Sequence, residues 1–261
     1  MDRPKEVKLA LVTADWHVKK DNNKVLLKNL KLVSMIAKDL KPDLMVGLGD
    51  FPDCEGISRF SVQNIEYGVE DTVKEWIIVG DLWEDLCNSC DNKDLERHFC
   101  LGNHDGERAD KVLYKLKKSS SAFLYNAIND ALTPSKYLLN TKIYEHLDVF
   151  KFGDLGFFHG EHHGSSHPKK HADEYGMNLM YGHLHTSASS TVVTKVNKTP
   201  HTAITIPCLG DVNPFYMKNR SSAWINGFAL VYLLPNQKTQ SFVYQIKNGT
   251  VFCNNKIYKI Q

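Results

Sequence analysis

Leu101-Gly102-Asn103-His104-Asp105 closes an apolar run with residues that can both turn a chain and bind a cation. Alone, this stretch could be a simple turn, because Gly and Asn accept the backbone dihedrals of tight turns and Asp caps a following helix. The same kinds of side chain recur in four further stretches, which are Asp15-Trp16-His17, Gly49-Asp50, His159 and Gly182-His183-Leu184-His185. Five such stretches in one chain indicate a metal site rather than an isolated turn.

Three of these stretches follow segments that are predicted to be buried strands. Residues 7–14 and 44–48 are apolar runs typical of parallel strands, and residues 97–101 form a third run. Between the first two, apolar residues recur at helical spacing over residues 22–41. A strand, a helix and a second strand predict a right-handed βαβ unit, and polar residues at the carboxyl ends of its strands meet at one edge of the sheet.

The remainder of the chain is predicted to be a long helix, an irregular middle and a β-rich second half. The helix covers residues 67–86, and residues 106–145 have the mixed composition of short helices and loops that form a cap-like insertion. Asn248-Gly249 has the composition of a two-residue hairpin turn. Further strands are predicted at residues 147–152, 155–158, 177–181, 190–195, 201–207, 226–233, 241–246 and 251–257. Together these elements predict a single α/β domain over residues 1–261, a sandwich of two sheets with polar loops at one rim.

Composition and charge exclude several classes of protein. Lys and Arg number 32 against 30 Asp and Glu, so no overall field draws the chain onto nucleic acid or an anionic membrane. No segment approaches the ~20 consecutive apolar residues of a membrane span, and the apolar run of residues 7–12 is broken by Lys8, so we expect no signal sequence there. Six cysteines are too few for a disulfide scaffold. We therefore expect a cytoplasmic protein that does not bind membranes.

Two features leave alternatives open at this stage. Cys87-Asn88-Ser89-Cys90 has the spacing of half a zinc site, but no second such pair follows, which favours ordinary thiols over a structural metal. The segment between the last two histidine motifs is interpreted either as a flexible loop that presents cationic side chains to a phosphate or as a solvated loop near the metals. Its side chains of interest are His162, His163, His167, Lys169, Lys170 and His171.

The candidate ligands supply nitrogen and oxygen atoms without thiolate. They are Asp15, His17, Asp50, Asn103, His159, His183 and His185. Such a set suits Mn, Fe, Ni or Zn rather than Ca or Mg, and it is large enough for two divalent ions that share one ligand. Two ions ~3.5–4 Å apart hold a bridging hydroxide and stabilise in-line attack at phosphorus. The sequence therefore predicts phosphoester hydrolysis.

In this order the motifs Asp-x-His, Gly-Asp-x-x-Asp, Gly-Asn-His-Asp, His and Gly-His-x-His resemble the calcineurin-like metallophosphoesterase superfamily. The resemblance implies a four-layer αββα sandwich of two mixed sheets. It assigns one metal to Asp15, His17 and His185, the other to Asn103, His159 and His183, and the bridging position to Asp50. It also implies that His104 is the general acid and that Asp53 orients its ring. Segments 49–60 and 224–228 are similar to small phage and bacterial enzymes, which would place a phage-encoded protein in the host cytoplasm.

One departure from the superfamily bears on the substrate. The protein serine/threonine phosphatase branch has Arg-Gly after its second acidic residue, whereas Cys54-Glu55 stands here, which disfavours a protein phosphatase. Arg59 and Arg108 follow ligand motifs and are the candidate substrate-binding residues, although for Arg59 a surface position is the favoured interpretation.

A monoester dianion is usually held by a fork of arginines, and the chain has only five arginines. We therefore expect a phosphodiesterase with two metal ions, most simply Mn, acting on DNA, RNA or a nucleotide, with Lys169 and Lys170 helping to hold the diester. The alternatives are a phosphomonoesterase and a catalytically silent interaction scaffold. The presence of His104 argues against the scaffold.

Overall fold

The computed structural model describes residues 3–58, 65–119, 122–193, 195, 198–214, 217 and 222–260. In chain order, the strands are β1 (Lys8–Thr13), β2 (Leu44–Gly47), β3 (Glu96–Cys100), β4 (Lys142–Tyr144), β5 (Phe150–Phe152), β6 (Leu155–Phe158), β7 (Asn178–Tyr181), β8 (Ala188–Val192), β9 (His201–Thr205), β10 (Gly227–Leu233), β11 (Thr239–Gln245), β12 (Thr250–Cys253) and β13 (Lys256–Lys259). The helices are α1 (Lys24–Leu40), α2 (Ile65–Ser89), α3 (Arg108–Ser119), α4 (Ala122–Ala131) and α5 (His167–Tyr175).

The two main sheets are both mixed. The first has the strand order β11-β10-β1-β2-β3-β4, in which β1 to β4 are parallel and β10 pairs antiparallel with β1 and β11. The second has the order β5-β6-β7-β9-β8, in which β6, β7 and β9 are parallel. The parallel strands of both sheets end at a common rim, where the polar motifs follow them.

Alternation along the strands sorts the apolar side chains into layers. On β1, Leu9 and Leu11 pack with α1 and α2, while Ala10 and Val12 face the second sheet. The outer face of the second sheet packs against α5 through Phe158 and other residues. The four-layer sandwich of two mixed sheets that the sequence predicted is confirmed.

Most predicted elements are present within one to three residues of their expected ends. The Asn248-Gly249 turn is also confirmed, because Lys247 and Thr250 exchange both backbone hydrogen bonds across it and both turn residues have positive φ. The predictions of one domain and of a cap over residues 106–145 stay predictions. That segment contains α3, α4 and the edge strand β4.

Two predictions were wrong in detail. Residues 251–257 are not one strand but parts of β12 and β13, because Asn254 and Asn255 both adopt left-handed backbone and make a turn between them. The segment between the last two histidine motifs is not simply a loop, because it contains α5. Pro168 near the first turn and the left-handed Gly176 at the end are ordinary helix boundaries that the histidine-rich composition obscured.

No helix in the described ranges combines the length and the apolar character that crossing a bilayer requires.

Candidate metal centre

All seven predicted ligands lie just beyond the carboxyl ends of strands. Asp15 and His17 follow β1, Asp50 follows β2, Asn103 follows β3, His159 follows β6, and His183 and His185 follow β7. Backbone hydrogen bonds join neighbouring loops, since the Asp15 N–H donates to the Gly49 carbonyl at 3.0 Å and the Gly182 N–H to the His159 carbonyl at 2.9 Å. Both sheets therefore deliver ligands to the same place.

Most of the candidate ligands also have a strained backbone conformation. Five of the seven candidates have left-handed φ although none is glycine; they are Asp15, His17, Asp50, His183 and His185. Such a conformation costs about 1–3 kcal/mol per residue and persists only where the surrounding structure imposes it. Strain of this kind clusters at functional sites, so the backbone is an indicator of function that does not depend on the side chains.

The first group of ligands consists of Asp15, His17 and His185. The His17 and His185 Nε2 atoms are 3.0 Å apart, and His185 Nε2 lies 3.4 Å from Asp15 Oδ1. The other nitrogen of His17, Nδ1, lies 3.1 Å from Asp53 Oδ1 and donates its proton there. The lone pair on His17 Nε2 therefore faces a second imidazole nitrogen and a carboxylate, an arrangement that a cation stabilises.

The second group consists of Asn103, His159 and His183, with Asp50 beside them. Asn103 Oδ1 lies 3.0 Å from His159 Nε2 and 2.8 Å from His183 Nδ1, and Asp50 Oδ2 lies 3.3 Å from His159 Nε2. His159 Nδ1 donates to the Leu48 carbonyl at 2.6 Å, which leaves Nε2 to face the oxygens. Asp50 Oδ2 also lies 3.8 Å from His104 Nε2, and the role of Asp50 as a bridge to the first group stays a prediction.

Electrostatics favour positive charge at His159, whereas burial and the neighbouring His159 lower the pKa of His183 to about 3. Burial alone would lower the pKa of His159, but the Asp50 and Asp15 carboxylates raise it to about 10. Burial alone would likewise raise the pKa of Asp50, yet the nearby His104 and His159 rings hold it well below its usual value. A field that retains a proton at His159 Nε2 also attracts a divalent cation, and cation binding would release that proton. The donor set thus fits the predicted metals.

A close approach of two loops is possible only because position 102 is glycine. A Cβ at Gly102 would lie 2.2 Å from Asp50 Oδ1 and 2.8 Å from His159 Nδ1. Asn103 and His104 then sit in a π-helical turn, Asn103–Glu107, which runs directly into α3. Single π-helical turns recur at functional sites because they displace side chains from the regular helical path.

His104 lies beside the first group rather than in it. Its Nδ1 lies 2.7 Å from the Asp53 carbonyl oxygen and 3.2 Å from Asp53 Oδ1. Arg108 donates from Nη2 to His104 Nε2 at 2.8 Å and from Nη1 to the Asp53 carbonyl at 2.7 Å. The predicted general acid, its orienting acid and one predicted substrate-binding arginine are therefore in mutual contact. The other predicted arginine, Arg59, lies outside the described residues.

Three residues that the sequence did not single out also support the centre. Asp105 accepts hydrogen bonds from the backbone N–H groups of Gly102 and of Phe51, which ties the β3 and β2 loops together. Lys19 Nζ lies 3.8 Å from Asp53 Oδ2, and the Trp224 ring meets the His185 ring edge to face at 4.2 Å. Asp105 lies in a quoted motif and Trp224 in the segment 224–228 that resembles phage and bacterial enzymes, but neither had been given a role, and Lys19 had no signal. A cleft of about 470 Å³ opens beside His17, Lys19, Asp53 and Trp224.

The histidines of the intervening segment divide into two kinds. His167 accepts a hydrogen bond from the Tyr181 hydroxyl at 2.7 Å, and His171 Nε2 accepts the backbone N–H groups of two residues at 3.2 Å. Burial lowers the pKa of His171 to about 3, so it is neutral and structural. The exposed His163, by contrast, lies against the His183 ring with centroids 4.6 Å apart.

The remaining open features are two lysines and two thiols. Lys169 and Lys170 are exposed on α5, which packs on the outer face of the second sheet. Cys87 and Cys90 are free thiols buried in the core beside the helices. In the described part of the chain these thiols belong to no group of three or more metal-ligating side chains, and the choice of ordinary cysteines over a structural metal stays a prediction.

Comparison with known proteins gives one family match. Residues 9–187 match the family model described as calcineurin-like phosphoesterase. No curated protein sequence matches the chain. Solved structures that resemble it include Vps29 of Chaetomium thermophilum, with 12% identity, a TM-score of 0.47 and coverage of 97% of this chain and 98% of that one. GAP50, the anchor in the inner membrane complex of Plasmodium, has 14% identity, a TM-score of 0.44 and coverage of 98% and 90%.

Proposed function

Because this chain belongs to the calcineurin-like phosphoesterase family, we propose that it is a dinuclear metal-dependent phosphodiesterase. The observation that carries the proposal is the convergence of imidazole, carboxylate and amide donors, in which the outer ring nitrogens of His17 and His159 are anchored by Asp53 and by the Leu48 carbonyl. This is the arrangement by which proteins orient histidines toward a metal.

The two groups of ligands would each hold one divalent cation. Asp15, His17 and His185 would hold the first, and Asn103, His159 and His183 the second, with Asp50 between them. When bound, two such ions supply charge neutralisation at the phosphate and an activated water. Mn is the metal that we propose, since nitrogen and oxygen ligands without thiolate suit it.

Side chains of the protein, rather than the metals, would protonate the leaving group. Asp53 fixes Nδ1 of His104, so Nε2 is the atom that would deliver a proton to the departing oxygen. It can carry that proton only once the Arg108 guanidinium, which donates to Nε2 in this structure, has turned to the phosphate. The Arg108 guanidinium lies at the same nitrogen and is positioned to donate to a phosphate oxygen there. Together these two side chains would bind and protonate one end of the scissile ester.

The preference for diesters rests on the scarcity of guanidinium groups. Arg108 is the one arginine that contacts the centre in the described ranges, because Arg3 pairs with Asp43 and Arg97 with Glu84. A single arginine suits a singly charged diester better than a monoester dianion. A nucleic acid or a nucleotide diester is the substrate class that we propose.

The experiment compares two nitrophenyl esters. Protein stripped by chelator and reloaded with Mn should hydrolyse bis-nitrophenyl phosphate with a higher kcat/KM than nitrophenyl phosphate. Asp50→Asn should abolish both activities by at least about 100-fold, because a neutral amide bridges two cations poorly. A higher kcat/KM for the monoester would replace this assignment with a phosphatase. Inactivity of fully loaded protein on both esters would favour the interaction scaffold.

A further inference from the structure

Helix α3 starts inside the candidate centre and leads away from it. Its first residue is Arg108, whose guanidinium contacts His104 and Asp53. The helix continues the π-helical turn that carries Asn103 and His104. A ligand lying along α3 would therefore be in line with the leaving-group side of the centre.

Basic side chains follow one side of this helix. Lys111, Lys115 and Lys118 come three, seven and ten residues after Arg108, a spacing that places all four on one helical face. The three lysines are exposed, whereas the residues that α3 buries are Ala109, Val112 and Leu116. At ~1.5 Å per residue the four cations extend over about 15 Å. We call Arg108, Lys111, Lys115 and Lys118 the α3 basic stripe.

The α3 basic stripe is a local concentration of positive charge in a chain whose overall charge is nearly balanced. Residues 107–118 contain five basic and two acidic side chains, whereas the formal net charge of the chain is only +2. One of the two acids, Glu107, pairs with Lys111 at 2.6 Å on the exposed surface. An exposed ion pair of this kind contributes little, so a phosphate can take the place of the carboxylate.

An exposed aromatic ring interrupts the lysines. Tyr114 is 61% exposed, and Lys118 Nζ lies 4.3 Å from the centroid of its ring. Lysines interleaved with an exposed aromatic residue are typical of surfaces that bind single-stranded nucleic acid, because unpaired bases can stack on the ring. A duplex keeps its bases stacked inside and offers nothing to Tyr114.

We propose that the α3 basic stripe binds the phosphates of a single-stranded nucleic acid, with one base stacked on Tyr114 and the scissile diester at the metal centre. The inference rests on the proposed phosphodiesterase function and names the substrate of the same site. The length of the stripe matches about four phosphates at the 3.4 Å spacing of a stacked strand. A surface of this length would select a nucleic acid strand over a cyclic nucleotide.

The test removes three charges from the stripe and three from another helix. The stripe variant is Lys111→Gln with Lys115→Gln and Lys118→Gln. The matched control is Lys28→Gln with Lys31→Gln and Lys38→Gln, which removes three exposed lysines from α1. Both are made in the full-length Asp50→Asn protein, so that a fluorescent 15-nucleotide oligothymidylate is not cut while its binding is measured by anisotropy.

The stripe variant should bind the strand about tenfold more weakly, and the slope of log Kd against log salt should fall by about 2, since each lost contact removes roughly 0.7. The control should keep its affinity within about twofold. Tyr114→Ala should weaken binding of the strand roughly fivefold and leave binding of a 15-base-pair duplex unchanged. With Asp50 restored, the ratio of kcat/KM for the strand to that for bis-nitrophenyl phosphate should fall about tenfold in the stripe variant.

Equal losses in the stripe and control variants would overturn the proposal, because only net charge would then matter. Tighter binding of the duplex with no effect of Tyr114→Ala would overturn the assignment to single strands. Wild-type protein that binds the strand through the stripe but hydrolyses neither nitrophenyl ester would overturn the proposed function and leave the binding surface standing.

Discussion

Asp53 holds two imidazoles with one carboxylate. Its Oδ1 lies 3.1 Å from Nδ1 of His17 and 3.2 Å from Nδ1 of His104. Burial alone would raise the pKa of Asp53, but the hydrogen bonds from these two rings keep it well below the usual value. A metal ligand and the proposed general acid are thus oriented by the same anion.

Replacing His104 should separate proton delivery from metal binding. His104→Asn should keep both metals, because its ring belongs to neither ligand group, and it should lose about 100-fold or more in kcat on esters with a basic leaving alkoxide. Esters with a nitrophenyl leaving group need less protonation and should lose less. Metal content by elemental analysis and rates on both ester types are the measurements. Equal losses on the two esters would mean that His104 positions the phosphate instead.

Replacing Asp53 should weaken both proton delivery by His104 and metal binding by His17. In Asp53→Asn a neutral amide replaces the carboxylate that both rings contact. The hydrogen bonds that orient His17 and His104 therefore weaken together. Outer partners of ligating histidines typically contribute 10–100-fold in metal affinity. We expect a drop of that order in Mn affinity by titration calorimetry. An affinity within twofold of that of His104→Asn would show that Asp53 serves His104 alone.

Residue roles were predictable from the sequence only where a motif carried them. Asp53 was paired with His104 from its place in a motif, but its contact with His17 depends on the left-handed turns at positions 15 and 17. Nothing in residue types predicts those turns, since neither residue is glycine. Trp224 belongs to a segment that was quoted from the sequence, but its contact with the His185 ring could not be predicted, because the two residues are distant in the chain.

At the scale of elements, the glycine before Asn103 lets two loops touch. Gly102→Ala should place a methyl group against Asp50 and His159, and relieving that overlap must move one of the loops. Overpacking costs about 1–3 kcal/mol in well-packed surroundings. We expect lower thermal stability and weaker Mn binding, measured by calorimetry. Gly176→Ala is the control, because its Cβ meets nothing within 4 Å and only its left-handed φ is penalised. Unchanged Mn affinity in Gly102→Ala would contradict this account.

A buried carboxyl joins α2 to the loop after Asp53. Glu75 Oε2 accepts the Cys54 backbone N–H at 2.7 Å, and burial raises the pKa of Glu75 to about 8. The folded protein therefore holds this proton more tightly than the unfolded chain does. The stability that Glu75 contributes is complete below about pH 4.5 and declines as the pH rises to 8, by up to about 1.4 kcal/mol per unit.

Glu75→Gln should remove that decline, because glutamine keeps the hydrogen bond without a titrating proton. The difference in unfolding free energy between variant and wild type should be small at pH 5 and should favour the variant at pH 8. Chemical denaturation at both values measures it. Glu70→Gln, on the exposed side of the same helix, provides the comparison. The same pH dependence in both variants would argue against a buried, protonated Glu75.

Helices and strands were predicted correctly where apolar residues recur at regular spacing, and were missed where they do not. The apolar spacing of α1 and the apolar run of β1 identify them, because each buries one continuous face. In α5 the buried positions include His167 and His171, which an apolar pattern does not count. The β12–β13 hairpin was missed because its two asparagines supply the turn without a glycine.

At the scale of the whole molecule, the ligands come from both sheets. Asp15, His17, Asp50 and Asn103 follow strands of the first sheet, while His159, His183 and His185 follow strands of the second. Cations shared by these loops would cross-link the two halves of the sandwich. Unfolding would have to break that link.

Mn should therefore raise the melting temperature of the chelator-treated protein. Ligand present at 100 times its Kd contributes about 2.7 kcal/mol, which corresponds to roughly 5–10 °C for a protein of this size. Differential scanning calorimetry with and without Mn measures the shift, and Ca at the same concentration is the control. His185→Ala, which removes a ligand of the second sheet, should reduce the shift. An equal shift with Ca would point to non-specific ion binding.

The position of β10 has a consequence for folding during synthesis on the ribosome. β1 lies between β2 and β10, and Lys8 pairs with Leu233, so one edge of β1 has no partner until β10 has left the ribosome. By then every proposed ligand has already been made, because the last of them is His185. An open strand edge invites pairing with other chains. Misassembly of a nascent chain therefore depends on how soon β10 arrives rather than on when the metals bind.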